Sequence, residues 1–392
     1  MKSKTFLILL VICAVLAGAS WFVLEPGREK TDTGSGRLLA DLPVNDTLRI
    51  DIAGSGSGVV LEKSDAVWVV KDKFGYPADF QKLTDLVVKL RDLKIDRAFP
   101  ASEDILDRLS LRAPDAPAKN AALHTGGTRI TLKGRDGKPL SDIIIGKARE
   151  TDAGRGGNFV MPAGENTVYV VDQEFSFLKA DPEEWIEKQV LDIPPEMVAR
   201  VDRIDVKGKA PLYTVRRPAK EKPAEMADAP KDQTVLPAKV NRLMDALAAF
   251  QIDDVIDPGT PAEKTGLGDG PCFAYALFDG TVYTLCLGNT VEGNPDRTYL
   301  KASVGFTPPP PAGDEASAAG KAAPGEAPPA GADKTQPKTD AAPEKTEDPA
   351  RAAAERNQKI SPWIFAVPKW KADQFISEKA DFFEVPEPEK ND

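Results

Sequence analysis

Histidine and cysteine are nearly missing. One His and three Cys stand among 392 residues. Cys13 lies inside an apolar run, and Cys272 and Cys286 form no CxxC and have no His nearby, so a zinc site and thiol chemistry are not expected. His124 lies beside a strand start, and no GxSxG elbow accompanies any Ser, which leaves nucleophilic catalysis without its parts. Excess positive charge is lacking too. A net charge of −10 argues against nucleic acid and against wide adhesion to an anionic membrane surface. Phosphate loops are imitated but not formed. Neither Gly54-Ser55-Gly56-Ser57-Gly58 nor Gly154-Arg155-Gly156-Gly157 is followed by Lys-Ser/Thr and an apolar helix, so both read as hairpin connections. No catalytic, cofactor-binding or metal residue is therefore assigned.

What the chain does have is one apolar run. Phe6–Leu24 follows Lys2 and Lys4, contains no charge and ends at Glu25-Pro26-Gly27-Arg28. As a helix its 19 residues cover roughly 28 Å, close to the hydrocarbon thickness of a bilayer. Ala17-Gly18-Ala19 also offers the small-residue pattern of a cleavable signal peptide. Trp21-Phe22-Val23-Leu24 extend the run past that point, which favours an uncleaved single-pass signal-anchor. Both alternatives place everything after about residue 25 outside the cytoplasm, and the anchor places it on the periplasmic face of a bacterial inner membrane.

The remainder reads as two tandem copies, 37–189 and 190–392, behind an anchor and juxtamembrane segment 1–36. Residues 37–54 and 190–208 each run from an apolar-Asp-apolar-Pro start into a strand, Ile50-Asp51-Ile52 or Ile204-Asp205-Val206. Next, Leu83, Leu86, Val87, Leu90 and Leu93 repeat the 3, 1, 3, 3 spacing of Val240, Leu243, Met244, Leu247 and Phe250, one apolar stripe on a helix in each copy. Asp79 suits the first cap and Pro237 the opening turn of the second. The exits match as well, Ile95-Asp96 and Ile252-Asp253. Hairpins follow around Asp136-Gly137 and Asp279-Gly280. The expected fold is α+β, each copy a mostly antiparallel sheet carrying one amphipathic helix.

Two insertions interrupt the second copy: a Pro/Lys/Glu-rich loop at 217–233 and a Pro/Ala-rich stretch at 307–358 whose composition predicts disorder. Pro308–Pro311 favours an extended polyproline conformation. Phe382-Phe383-Glu384-Val385-Pro386 reads as the opening of a third copy. Cys272 and Cys286 lie directly opposite each other if Phe278-Asp279-Gly280 is a three-residue loop, and on opposite faces if Asp279-Gly280 is a two-residue turn. Their approximate counterparts Ile130 and Ile144 are apolar, which favours plain burial. Asp96 and Asp253 recur at equivalent places, where a carboxylate more often caps a turn than performs catalysis.

The anchor, Val59-Val60-Leu61-Glu62-Lys63, Val67-Trp68-Val69-Val70, Pro77-Ala78-Asp79, Leu109-Ser110-Leu111, Ile145-Gly146 and Val168-Tyr169-Val170-Val171 together resemble the bacterial family catalogued as domain of unknown function 4340. The resemblance implies an accessory of ABC-type or gliding-type transport at the cell envelope, with transporter subunits as partners, and carries over no reaction or active site; no cofactor is expected from the residues. The expectation is a non-enzymatic membrane-anchored accessory or scaffold protein. Its alternatives are a binding module for cell-wall or envelope polymer and, least favoured, a carboxylate-dependent hydrolase.

Overall fold

A computed structural model of the chain describes residues 36–114, 126–151, 154–205, 211–308, 348–376 and 378–384. The apolar run Phe6–Leu24, Cys13 and His124 lie outside the described residues, as do 309–347 of the second insertion. Among the described residues no helix is long and apolar enough to cross a membrane. The fold is α+β, dominated by antiparallel strands with a few helices. Two compact units divide between Ile186 and Glu187.

In the first unit alternating sequence makes strands. They are β1 (Arg49–Gly54), β2 (Ser57–Ser64), β3 (Val67–Val70) and β4 (Tyr76–Pro77), then β5 (Ile95–Pro100), β6 (Thr128–Lys133), β7 (Pro139–Thr151), β8 (Gly154–Pro162) and β9 (Thr167–Val171). They form one sheet in the order β4-β3-β2-β1-β6-β7-β8-β9-β5. Register puts Ile52 opposite both Val59 and Ile130, and Ile130 opposite Ile143, so one face collects a fully buried apolar layer.

Helix α1 (Phe80–Arg91) starts where the Asp79 side chain accepts the Lys82 N–H at 2.9 Å, satisfying one of the helix's unpaired donors. Its stripe Leu83, Leu86, Val87 and Leu90, with Leu93 just beyond, is buried as the spacing predicts; each such leucine is worth roughly 1.5–3 kcal/mol. The Asp79 N–H donates to the Trp185 carbonyl at 2.8 Å, tying the helix start to the unit's last residues. A short helix α2 (Glu103–Arg108) follows β5 and ends at Ser110, which is left-handed with φ 56°. Gly54–Gly58 is a hairpin connection as expected, whereas Gly154–Gly157 opens β8 itself.

The second unit holds β10 (Gln189–Leu191), β11 (Val198–Ile204), β12 (Pro211–Arg216), β13 (Glu225–Met226), β14 (Phe250–Gln251) and β15 (Asp254–Ile256). Beyond them lie β16 (Cys272–Leu277), β17 (Thr281–Val291), β18 (Asn294–Phe306) and β19 (Ile364–Pro368). The main sheet runs β13-β12-β11-β16-β17-β18-β19-β15, and β10 pairs with β14 apart from it. Helices are α3 (Pro237–Met244), α4 (Ala262–Thr265), α5 (Pro349–Ile360) and α6 (Lys369–Ala372). The core gathers Val201, Phe273, Tyr275, Tyr283, Leu285 and Phe365, with the Phe375 ring against Phe250, Phe273 and Tyr275.

Three expectations need correcting here. Pro237 opens α3, but the helix stops at Met244. The chain then tightens through Asp245 and turns at left-handed Ala249 (φ 42°), so Leu247 and Phe250 are buried without being helical. Next, both insertions carry ordered elements. β13 lies within 217–233 and pairs Met226 with Val215. α5 begins within 307–358 because the Asp348 side chain caps Ala350 N–H at 3.1 Å, Pro349 fits the first turn, and an Ala-rich run favours helix. Ala353 and Ile360 are buried there, and the Asn357 side chain accepts the Val304 N–H at 2.9 Å. Finally, Phe382 and Phe383 open no third copy. They are buried in the second unit, where the Leu236 N–H donates to the Phe382 carbonyl at 2.7 Å.

Candidate functional site

Alternation that buries one face of the first sheet turns Arg49, Asp51, Glu62, Arg129, Thr131, Lys133 and Asp142 to the other. There they pair in a row. Lys71 reaches Glu62 at 3.2 Å, Arg49 reaches Glu62 and Asp51 at 2.6 Å each, and Lys133 reaches Asp51 at 2.5 Å. On the neighbouring strands Arg129 holds Asp142 at 2.9 and 2.6 Å, and Thr131 donates to it at 3.3 Å. Hydrogen bonding from Arg129, working against partial burial, keeps the Asp142 carboxyl below the usual carboxylate range. Every carboxylate in the row already accepts from a cation.

Past Arg129 the same face turns apolar. Ile144 on β7, Met161 on β8 and Val168 on β9 are buried together with Leu111, under α2 and its exit. Phe99, Ile105, Leu106 and Phe159 pack around them, the rings of Phe99 and Phe159 edge to face at 6.5 Å. Gly146 permits this cover. A Cβ at that position would stand 2.4 Å from the Leu109 carbonyl oxygen. Beside α2 an open hollow of about 290 Å³ remains, lined among others by Leu106, Leu111, Arg112, Arg129, Ile144 and Met161. Arg112 is itself held by Asp107 and, at 2.7 Å, by Glu103. No sequence motif marks this pocket. The available signal was Ile143-Ile144-Ile145, three successive buried residues where alternation would leave the middle one exposed.

The recurrent carboxylates are paired. Asp96 meets Arg149 at 2.5 Å beside an open cleft of about 450 Å³ that Lys94 and Asp172 also line. Asp253 meets Arg297 at 3.3 Å.

In the second unit the three-residue loop is the one formed. Gly280 is left-handed at φ 89°, its N–H donates to the Leu277 carbonyl at 3.1 Å, and Cys272 stands opposite Cys286 in a disulfide. Lys301 is the next neighbour of Cys286 across β18. Of Pro308–Pro311 only Pro308 is among the described residues.

A family model described as a domain of unknown function (DUF4340) matches residues 68–271, from β3 to the residue before β16. No curated protein and no solved structure matches the chain.

Proposed function

The chain belongs to the DUF4340 family, and on that premise we propose that it is a non-enzymatic accessory or scaffold protein of an ABC-type envelope transport complex. It is anchored by Phe6–Leu24 in the bacterial inner membrane, with its body in the periplasm, and works through contacts with transporter subunits. The observation that carries this reading is the Cys272–Cys286 disulfide. Such bonds persist in oxidising compartments and are rare in the cytosol. It agrees with the side of the membrane that the apolar run predicts.

The body is, in this reading, one α+β design built twice. Several correspondences support it. Both main sheets place the unit's first strand beside the strand that follows the short helix, as β1 meets β6 and β11 meets β16. Each then steps outward through consecutive strands, and closes on the strand after the amphipathic helix, β5 or β15. Each short helix exits through a left-handed residue, Ser110 or Gly266. Each exit carbonyl, Leu109 or Thr265, presses on a sheet glycine, Gly146 or Gly288. Aligned on those glycines, Cys286 answers to Ile144 and Lys301 to Met161, while Cys272 answers to Arg129 rather than Ile130.

The polymer-binding alternative wants aromatics gathered on a sheet face. Among the described residues the exposed ones, Phe74, Phe80 and Trp370, sit instead on a turn and two helices.

Affinity purification of the tagged full chain from solubilised membranes, followed by mass spectrometry, tests the proposal. Recovery of a permease or ATPase at matching amounts is expected. A preparation free of both removes the transporter role, and a body shielded from protease added to outer-membrane-permeabilised cells removes the topology.

A further inference from the structure

Cys272 and Cys286 stand in a row that crosses four strands of the second unit's main sheet. On its outer face Ile204 of β11, Cys272 of β16, Cys286 of β17 and Lys301 of β18 are successive opposite neighbours. Exposure rises along the row. Cys272 is buried at 6%, Cys286 is half-buried and Lys301 is exposed. The bond therefore has one sheltered end and one that meets solvent.

This cross-link joins backbone that is already joined. On one side of it Phe273 pairs with Leu285, and on the other the Leu287 N–H donates to the Pro271 carbonyl at 2.9 Å. In the first unit β6 and β7 hold a hairpin of the same kind with no cysteine in either strand. Opening the bond thus leaves two thiols facing each other on strands that stay paired, in position to close again. A staple between otherwise separate segments lacks that reversibility.

Lys301 adds chemistry to this geometry. Opposite residues of an antiparallel pair share a face with Cβ atoms roughly 5 Å apart, so the ammonium group can reach the Cys286 sulfur. A cation there favours a thiolate, both one arriving and the one left on Cys286 after reduction. Asp202, the carboxylate on the adjacent row, is engaged by Arg200 at 2.9 Å and by the Thr214 hydroxyl at 2.7 Å.

We infer that Cys272–Cys286 is a thiol–disulfide exchange site for a dithiol protein, attacked at Cys286. The arriving thiolate forms a mixed disulfide with the Cys286 Sγ and displaces Cys272 as a thiolate, which takes up a proton. The second thiol of the dithiol, as its thiolate, then attacks the first sulfur and releases Cys286. The dithiol is oxidised by two electrons to its own disulfide, and the cysteine pair is reduced to two thiols. This goes beyond the transport proposal and needs no transporter subunit.

The full-length chain in lipid nanodiscs, carrying Cys13→Ser so that two cysteines remain, tests it. Dithiothreitol in native buffer, followed by acid quench and alkylation, should label both sulfurs while the near-UV circular dichroism of the aromatic core persists. Thioredoxin whose second motif cysteine is replaced by serine should stop at the mixed disulfide, and peptide mass should place the adduct on Cys286. In single-thiol variants Cys286, freed by Cys272→Ser, should react with dithiobis-nitrobenzoate at least about tenfold faster than Cys272, freed by Cys286→Ser. Lys301→Gln should slow Cys286 about threefold and move its pH–rate profile upward, and Lys301→Arg should restore both.

A bond that opens only once urea has unfolded the chain would overturn the inference, as would an adduct on Cys272 or a Cys286 thiol no faster than Cys272. Should a single-thiol variant fail to fold, the opening of the parent and the site of its adduct decide. Each of those failures leaves the transport reading standing, because a closed disulfide still belongs to an oxidising compartment. Conversely, co-purification without a permease or ATPase leaves the exchange site untouched.

Discussion

Arg129 of β6 and Asp142 of β7 are diagonal neighbours on one sheet face, joined by two near-parallel contacts of 2.9 and 2.6 Å. Hydrogen bonding from Arg129 lowers the Asp142 pKa, so the pair stabilises the fold fully above the ordinary carboxylate value, roughly 3.9. That contribution is lost as pH falls through the depressed folded value. Because both groups are partly solvated, Asp142→Asn should cost only about 1 kcal/mol at neutral pH. Urea unfolding at a series of pH values checks this. The gap between parent and variant should narrow below about pH 4.

Gly146→Ala should cost about 2–4 kcal/mol, since its new methyl meets backbone 2.4 Å away and neither the sheet nor the turn at Leu109 can retreat cheaply. Gly288→Ala, 2.1 Å from the Thr265 carbonyl oxygen, should behave alike. Gly56→Ala is the control. It has open space around it and only a positive φ to pay for, about 1 kcal/mol. Denaturation midpoints of the three variants decide the order.

Lys371 is buried, donates to the Ala248 carbonyl at 3.2 Å and lies 5.3 Å from the centre of the Phe250 ring. Burial lowers its pKa below the ordinary lysine value. Between the folded and unfolded values the unfolded chain holds more protons, so stability should climb with pH in that window and level off above roughly 10.4. Lys371→Met should remove the climb while leaving neutral-pH stability within about 1 kcal/mol. Thermal midpoints from pH 7 to 11 would show a slope in the parent that the variant lacks.

Cys272 and Cys286 close a short loop, 14 positions apart in sequence. Chain-entropy reasoning gives such a closure about 3 kcal/mol. Cys272→Ser with Cys286→Ser should lower stability by up to that amount, less whatever the hairpin ladder already restrains in the unfolded chain. Reductant should shift the parent's midpoint toward the double variant and leave the variant's own midpoint unchanged.

Helix α1 was legible because its cap and its stripe agree: Asp79 marks the start and five apolar positions mark one face. In α3 the same stripe misled at its end. Burial continues through Leu247 and Phe250, but Ala249 leaves the helical region, and spacing alone does not register a change of backbone hand. Composition hid α5, since Ala, Lys and Glu occur equally in solvated tails and in helices; only Asp348-Pro349 distinguishes them. The apolar cluster beneath α2 was beyond reach for another reason. Ile144, Met161 and Leu111 come from separate elements, and their meeting depends on a short helix folding back over a glycine.

Both sheets are also finished at their margins. The first ends on two-residue β4 at one side and on β5 at the other, where a bulge after Ile95, the charges of Asp96 and Arg97, and Pro100 spoil the backbone ladder. The main sheet of the second ends on β13 and β15, two and three residues long. Borders so short and irregular resist docking by a foreign strand, and so guard against fibrillar stacking. The broad faces, by contrast, vary through their side chains alone, so single positions there can change without touching the architecture.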